Sequence, residues 1–166
     1  NLIGVDIDTR AKQLAQFALL LKACQKDRSF VDAHIMPRIL DMPKPYPYKD
    51  KLLDTLYQFF LGNNQKIIRE VCDAIDLMDQ AKNLGSIMKF NISEQTRTAI
   101  IERMEEDKEC EYCSEELELL KTYIQIILAL TNKYAAIVMN PPYMGSSYMN
   151  TFLKNYVANN YSNGKA

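Results

Sequence analysis

Two consecutive prolines close an apolar run near the end of this chain, and few backbones accept that arrangement. Tyr134-Ala135-Ala136-Ile137-Val138-Met139 reads as a buried strand, and Asn140-Pro141-Pro142-Tyr143 must end it. Each proline fixes its own φ and removes a donor, and Pro142 also restricts Pro141 before it. The main-chain carbonyl of Pro141 therefore points one way with little freedom. Asn140 sets an amide oxygen beside it, and Tyr143 offers a ring face. Two fixed acceptors next to a flat aromatic surface suit a planar amino group whose lone pair is delocalised into a ring, because acceptors draw electron density back onto the nitrogen. A base stacked on such a ring is typically worth ~1–3 kcal/mol. The plainer reading is a Pro-Pro turn after a core strand, with a tyrosine on the surface.

The other end of the chain carries a second constraint. Leu2-Ile3-Gly4-Val5-Asp6-Ile7-Asp8 is an apolar strand ending in an acid. A helix follows from Thr9, with Ala11, Leu14, Ala15, Ala18 and Leu21 at the spacing of one buried face. Asp8 is placed to cap that helix. In nucleotide-binding α/β sheets, an acid at the carboxyl end of a strand accepts hydrogen bonds from ribose hydroxyls, and Asp6 sits where that acid belongs.

Together these segments resemble the N6-adenine DNA methyltransferases. The residues that carry the resemblance are Gly4-Val5-Asp6-Ile7-Asp8 with Arg10, Ala11, Leu14 and Ala15, and Ala136-Ile137-Val138-Met139-Asn140-Pro141-Pro142-Tyr143-Met144-Gly145. Ser146, and Met149-Asn150 leading into Phe152, Leu153 and Tyr156, make it most similar to the PglX-type enzymes of BREX phage-defence systems, with type IIG restriction–modification enzymes close by. The resemblance covers residues 1–42 and 133–161. It implies S-adenosylmethionine as methyl donor, with Asp6 binding its ribose and Ile7 packing on its adenine. For Asp41, after a candidate strand at residues 34–40 that Pro37 interrupts, it implies contact with the adenine amino group. It further implies that Asn140 and Pro141 hold the target amino group, with Pro142 completing the loop and Tyr143 stacking on a base flipped out of double-stranded DNA. Protein partners within a defence system and a bacterial cytoplasmic location follow from the same resemblance.

One family feature has no counterpart. An acidic or aromatic residue followed by a Gly-rich turn should cradle the methionine part of the cofactor, yet the 5 glycines include no G-x-G pair. The chain also starts at Asn1, already inside a strand. The expectation is a segment of a longer enzyme, inactive by itself, with other strands and any target-recognition domain elsewhere. The net charge of −1 agrees, since a duplex-binding surface usually carries a basic excess. No apolar run is long enough to span a membrane. No metal site is expected: Cys110-Glu111-Tyr112-Cys113 has zinc-ligand spacing but no second pair, the cysteines, Cys24 and Cys72 included, read as free reduced thiols, and the single histidine, His34, reads as structural.

Between these ends the chain turns helical. Met42-Pro43-Lys44-Pro45-Tyr46-Pro47-Tyr48 is a stiff connector, too poor in donors for a central strand. Helices are predicted at about residues 50–61, at 64–84 with Gly85 as the stop, at 94–108 behind Ser93, and from Ser114 with Glu115 and Glu116 against the helix dipole. The predicted fold is an α/β Rossmann-like methyltransferase fragment, predominantly α-helical because of a helical insertion and missing strands. Its parts are a partial core at 1–42, an inserted helical subdomain at 43–133, and a last strand, loop and helix at 134–166. Two other readings stand. Glutamine-amide and rRNA guanine amino methyltransferases share the Asn-Pro-Pro-Tyr loop, though the long interval from Asp6 to Asn140 argues against their compact crossover. A non-enzymatic helical interaction module is the third.

Overall fold

A computed structural model of the chain describes residues 2–33, 35–62, 64–106, 114–139 and 149–161. Strand β1 (Ile3–Asp6) leads into helix α1 (Thr9–Lys26), and strand β2 (Arg38–Asp41) returns beside β1. The two strands are parallel, with Ile3 opposite Arg38 and Asp6 opposite Asp41. Parallel strands need a crossover, which α1 provides. A Cβ at Gly4 would meet the Ile39 side chain at 3.4 Å, an ordinary contact, so the pairing does not depend on glycine there. Asp8 caps α1 as the sequence predicts, its side chain accepting from the Arg10 N–H at 2.8 Å. The interruption at Pro37 is resolved by starting β2 one residue later, which makes Asp41 its last residue.

The face of α1 differs from expectation. Leu14 and Leu21 are exposed at 69% and 48%, as are Ala11 and Ala18, and only Ala15 of that stripe is half-buried. The helix instead lies on β2 through Lys12 and Gln16, with Leu19, Leu20 and Ala23 half-buried on the same side. A pair of strands supports one narrow side of a helix, and two overlapping stripes competed for it. The stripe with the long polar side chains reached the Pro37 carbonyl just before β2 and the Asp41 carboxylate at its end.

The helical part is α2 (Leu52–Phe59), α3 (Gln65–Met78), α4 (Ala81–Leu84), α5 (Glu94–Glu106) and α6 (Glu115–Thr131), followed by α7 (Thr151–Asn160). The central member is α6, which touches α2, α3 and α5 and buries Leu117, Leu120, Tyr123, Ile124, Ile126, Ile127 and Ala129. Ser93 and Ser114 cap their helices through hydroxyl oxygens, both 3.3 Å from the accepted N–H. Gly85 ends α4 with φ +53°, a conformation few other residues adopt cheaply. The predicted helix at 64–84 is broken after Met78. Asp79 there accepts from the Tyr46 N–H at 3.2 Å and pairs with Lys49, so tertiary contacts with the connector interrupt it.

Arginines of α5 close two neighbouring helices. Arg97 donates to the Leu128 carbonyl at 3.3 Å, Thr131 Oγ1 at 3.1 Å and Asn132 Oδ1 at 2.9 Å, at the C-terminus of α6. Arg103 donates to the Phe59 carbonyl at 2.6 Å, at the end of α2. A cation there satisfies orphan carbonyls and the helix dipole together. The connector joins this core through Tyr46, which is 2% exposed and edge-on to Tyr123 at 5.2 Å. The described residues are thus mostly helical with one small sheet, and none of their helices is long and apolar enough to cross a membrane.

Candidate functional site

Two acids meet at the carboxyl end of the small sheet. Asp6 and Asp41 are register partners, and the ladder runs past them, with the Met42 N–H donating to the Asp6 carbonyl at 2.8 Å. Neighbouring strands lie about 4.8 Å apart, so the two carboxylates leave the sheet side by side. Asp6 Oδ1 accepts from the Asp8 N–H at 2.8 Å, a local turn that aims the carboxylate past the strand end. Ile7, next along, is exposed at 58%. Ligands of open α/β sheets bind outside the carboxyl ends of strands, and Asp6 and Asp41 stand at that end of β1 and β2.

Asp41 is the less ordinary of the pair. Its Oδ2 receives Lys12 Nζ at 3.1 Å, while its Oδ1 is buried and has no hydrogen-bond partner among the described residues. A buried acceptor left unmade costs roughly 1–3 kcal/mol, so a donor from a ligand would be stabilised there. Sequence reasoning named Asp6, Ile7 and Asp41 but missed Lys12. Its one signal was a lysine a single turn after the capping Asp8, and a partner 29 residues away is not visible in local pattern.

The second set of candidates, Asn140, Pro141, Pro142 and Tyr143, lies outside the described residues. The run before them is described, and it corrects the expectation of a buried strand. Residues 134–139 form no strand, and Ile137, Val138 and Met139 are exposed at 66%, 100% and 55%. A strand holds only when its backbone groups find a ladder, and the described sheet consists of β1 and β2 alone. Tyr134 turns back instead, donating to the Ala129 carbonyl at 2.7 Å.

Helix α7 begins at an Asn150 cap, whose Oδ1 accepts from the Leu153 N–H at 2.8 Å. The helix rests on the helical part. Tyr156 Oη accepts from the Lys89 N–H at 2.7 Å, Tyr161 Oη donates to the Ile87 carbonyl at 2.8 Å, and Leu153 is buried. A groove lined by Phe60, Ile67, Ala99 and Arg103 opens between α3 and α5, and it contains none of the candidate residues.

The family model of the Eco57I restriction-modification methylase matches residues 1–166. The chain belongs to that family. Among relatives, a protein named adenine-specific methyltransferase PglX from Lacticaseibacillus casei (strain Zhang) is 26% identical over 174 residues, covering 100% of this chain and 14% of the relative. A protein named adenine-specific methyltransferase BrxX from Escherichia coli O9:H4 (strain HS) is 28% identical over 189 residues, covering 100% of this chain and 15% of the relative. This chain therefore spans about one seventh of the curated relatives it matches. No solved structure matches it.

Membership in a methylase family implies a methyl donor, and the sheet edge can be tested against one. S-adenosylmethionine presents ribose hydroxyls, an apolar purine face and an exocyclic amino group. The edge presents the Asp6 carboxylate, the exposed Ile7 side chain and the unpartnered Asp41 Oδ1. The edge offers acceptors and an apolar side chain, the kinds of group that such a ligand's donors and purine face need, so its chemistry suits a donor of this class.

Proposed function

We propose that this chain is a working segment of a longer DNA methyltransferase that moves a methyl group from S-adenosylmethionine to N6 of adenine, in bacterial phage defence or restriction–modification. The observation that carries this reading is the pair Asp6 and Asp41 at the carboxyl end of two parallel strands, in a chain matched from end to end by a methylase family. The cofactor supplies an electrophilic methyl group on a sulfonium. Asp6 accepts from its ribose, Ile7 packs on its purine, and Asp41 accepts from its amino group. Asn140 and the Pro141 carbonyl accept from the target amino group and restore its nucleophilicity. Pro142 holds that carbonyl in place, and Tyr143 stacks on the extruded base. Base flipping needs such a partner to offset the stacking lost in the duplex.

The division of the chain follows from this reading. Residues 1–42 form part of a Rossmann-like core, residues 43–133 are a helical insertion, and residues 134–166 supply an apolar run that gains a ladder only beside strands of the longer protein, the target-base motif and its helix. The exposed run at 137–139 pairs with strands that the longer protein provides, and its apolar side chains become core there. Double-stranded DNA is the substrate, other proteins of the defence system are partners, and the bacterial cytoplasm is the setting. With net charge −1, most phosphate contacts come from the rest of the protein.

Paired titrations of the intact enzyme test the assignment. Asp6→Ala should raise the Kd for S-adenosylmethionine and leave binding of the target duplex nearly unchanged. Tyr143→Ala should weaken capture of the flipped base and leave cofactor affinity nearly unchanged. Equal effects of both variants on both ligands would overturn the separation of roles. The 166-residue chain by itself should neither methylate DNA nor bind the cofactor at micromolar concentration.

A further inference from the structure

The Lys12–Asp41 pair ties the cofactor edge to the first turns of α1. Asp8 caps the helix and its carbonyl accepts from the Lys12 N–H at 3.0 Å, which fixes where Lys12 leaves the helix. One turn later, Gln16 Nε2 donates to the Pro37 carbonyl at 3.2 Å, just before β2 begins. Lys12 and Gln16 thus staple α1 to the two ends of β2. The Lys12 staple occupies Asp41 Oδ2 and leaves Oδ1 as the acceptor with no partner among the described residues. It also brings positive charge to an edge where Asp6 and Asp41 stand side by side. Two neighbouring carboxylates repel, and an unpaired Asp41 would turn toward water.

We infer that Lys12 is a positioning residue for recognition of the cofactor's 6-amino group: by holding Asp41 Oδ2 it presents Oδ1 as a single, directed acceptor. The inference rests on the proposed cofactor role of this edge. It concerns selectivity as well as affinity. A purine with an N–H donor at position 6 gains from a fixed acceptor, whereas one with a keto oxygen there meets a second acceptor and gains nothing. Lys12 should therefore matter for the amino ligand alone.

The test uses the intact enzyme and two ligands, S-adenosylhomocysteine and S-inosylhomocysteine, which differ at that one group. Lys12→Met keeps most of the apolar stem and removes the charge, and Lys12→Arg keeps the charge. For S-adenosylhomocysteine, Lys12→Met should raise Kd by roughly 3- to 10-fold, a modest effect because the pair is 25% and 34% exposed. Lys12→Arg should stay within about twofold, since the charge that holds Asp41 is retained. For S-inosylhomocysteine, Lys12→Met should match the wild type. Combined with Asp41→Asn, which already removes the oriented acceptor, Lys12→Met should add little further loss.

Equal weakening of both ligands by Lys12→Met would mean loss of local structure and would overturn the inference. Unchanged Kd for both would also overturn it, provided Asp6→Ala still weakens them. If Asp6→Ala has no effect either, the fault lies with the reading of the whole edge.

Discussion

The helical part and the strand–helix–strand unit are built to different standards. Helix α3 buries Ile67, Ile68, Val71, Ala74, Ile75 and Met78 and is closed on by α2, α5 and α6. Helix α1 is longer and buries no residue, and it leaves Leu14, Phe17 and Leu21 facing solvent. Fully burying one such side chain contributes roughly 1.5–3 kcal/mol, so cohesion within this chain comes from the helices. Every described residue with a proposed chemical role lies in the loosely packed unit. The difference teaches that cohesion and the proposed chemistry sit in different parts of the chain: the helices from α2 onward pack on one another, while the strand–helix–strand unit that carries Asp6 and Asp41 leaves apolar side chains uncovered.

The sharpest way to break that comparison is to remove a core side chain from each part. Ile124 is 0% exposed at the centre of α6, and Ile124→Ala should cost about 2–5 kcal/mol in chemical denaturation. Leu14→Ala should fall within about 0.5 kcal/mol, because Leu14 is already in water. Equal losses would mean that α1 shares the helical core after all. Chemistry should show the reverse order. On the proposed reading, in which Asn140 holds the target amino group in the intact enzyme, Asn140→Ala should slow single-turnover methylation by about 10²–10³-fold, because the lost contact strengthens as the nitrogen becomes tetrahedral. A wild-type rate would make the loop only a turn.

Alkali separates the two parts by titration. Burial pushes the Tyr123 phenol up to about 12, with Asp79 and Tyr46 adding to it, and burial also raises Tyr46. Residues 1–42 contain no tyrosine. A phenol whose folded pKa lies above its unfolded value holds its proton more tightly when folded. Its stabilisation is therefore complete below about pH 10 and is lost as pH rises from there through about 12. The loss should be of order 1–3 kcal/mol, read as falling midpoints in denaturant between those pH values. Tyr123→Phe should flatten most of that slope. An unchanged slope would place the titration elsewhere.

What was legible in the sequence was local. Asp8, Ser93 and Ser114 marked helix starts and Gly85 a helix end, because capping chemistry involves residues two to four apart. The acid at the end of β1 was legible for the same reason. Contacts between distant segments were not. Periodicity offered α1 two overlapping faces, and only the positions of β2 and Pro37 decided between them. The run at 134–139 has the composition of a strand, but a strand also needs a ladder, and apolar letters cannot say whether one is present. Asp79 broke a helix that its own neighbours favoured, through Tyr46 and Lys49 more than 29 residues away.

The smallest effect concerns the seam between the two kinds of structure. Helix α7 packs on the helical part and is held there by Tyr156, Tyr161 and Leu153. Tyr156→Phe removes the acceptor of the Lys89 N–H but keeps the ring that stacks on Phe152 at 6.3 Å. The freed N–H is exposed and turns to water, so the cost should be about 0.5–1 kcal/mol. Hydrogen exchange should show it as faster exchange confined to α7 and residues 85–89, with α3 and α6 unchanged. Adding Tyr161→Phe should deepen the same local loss. If the exchange of α6 quickened in step, α7 would belong to the helical core, and the boundary would lie further along the chain.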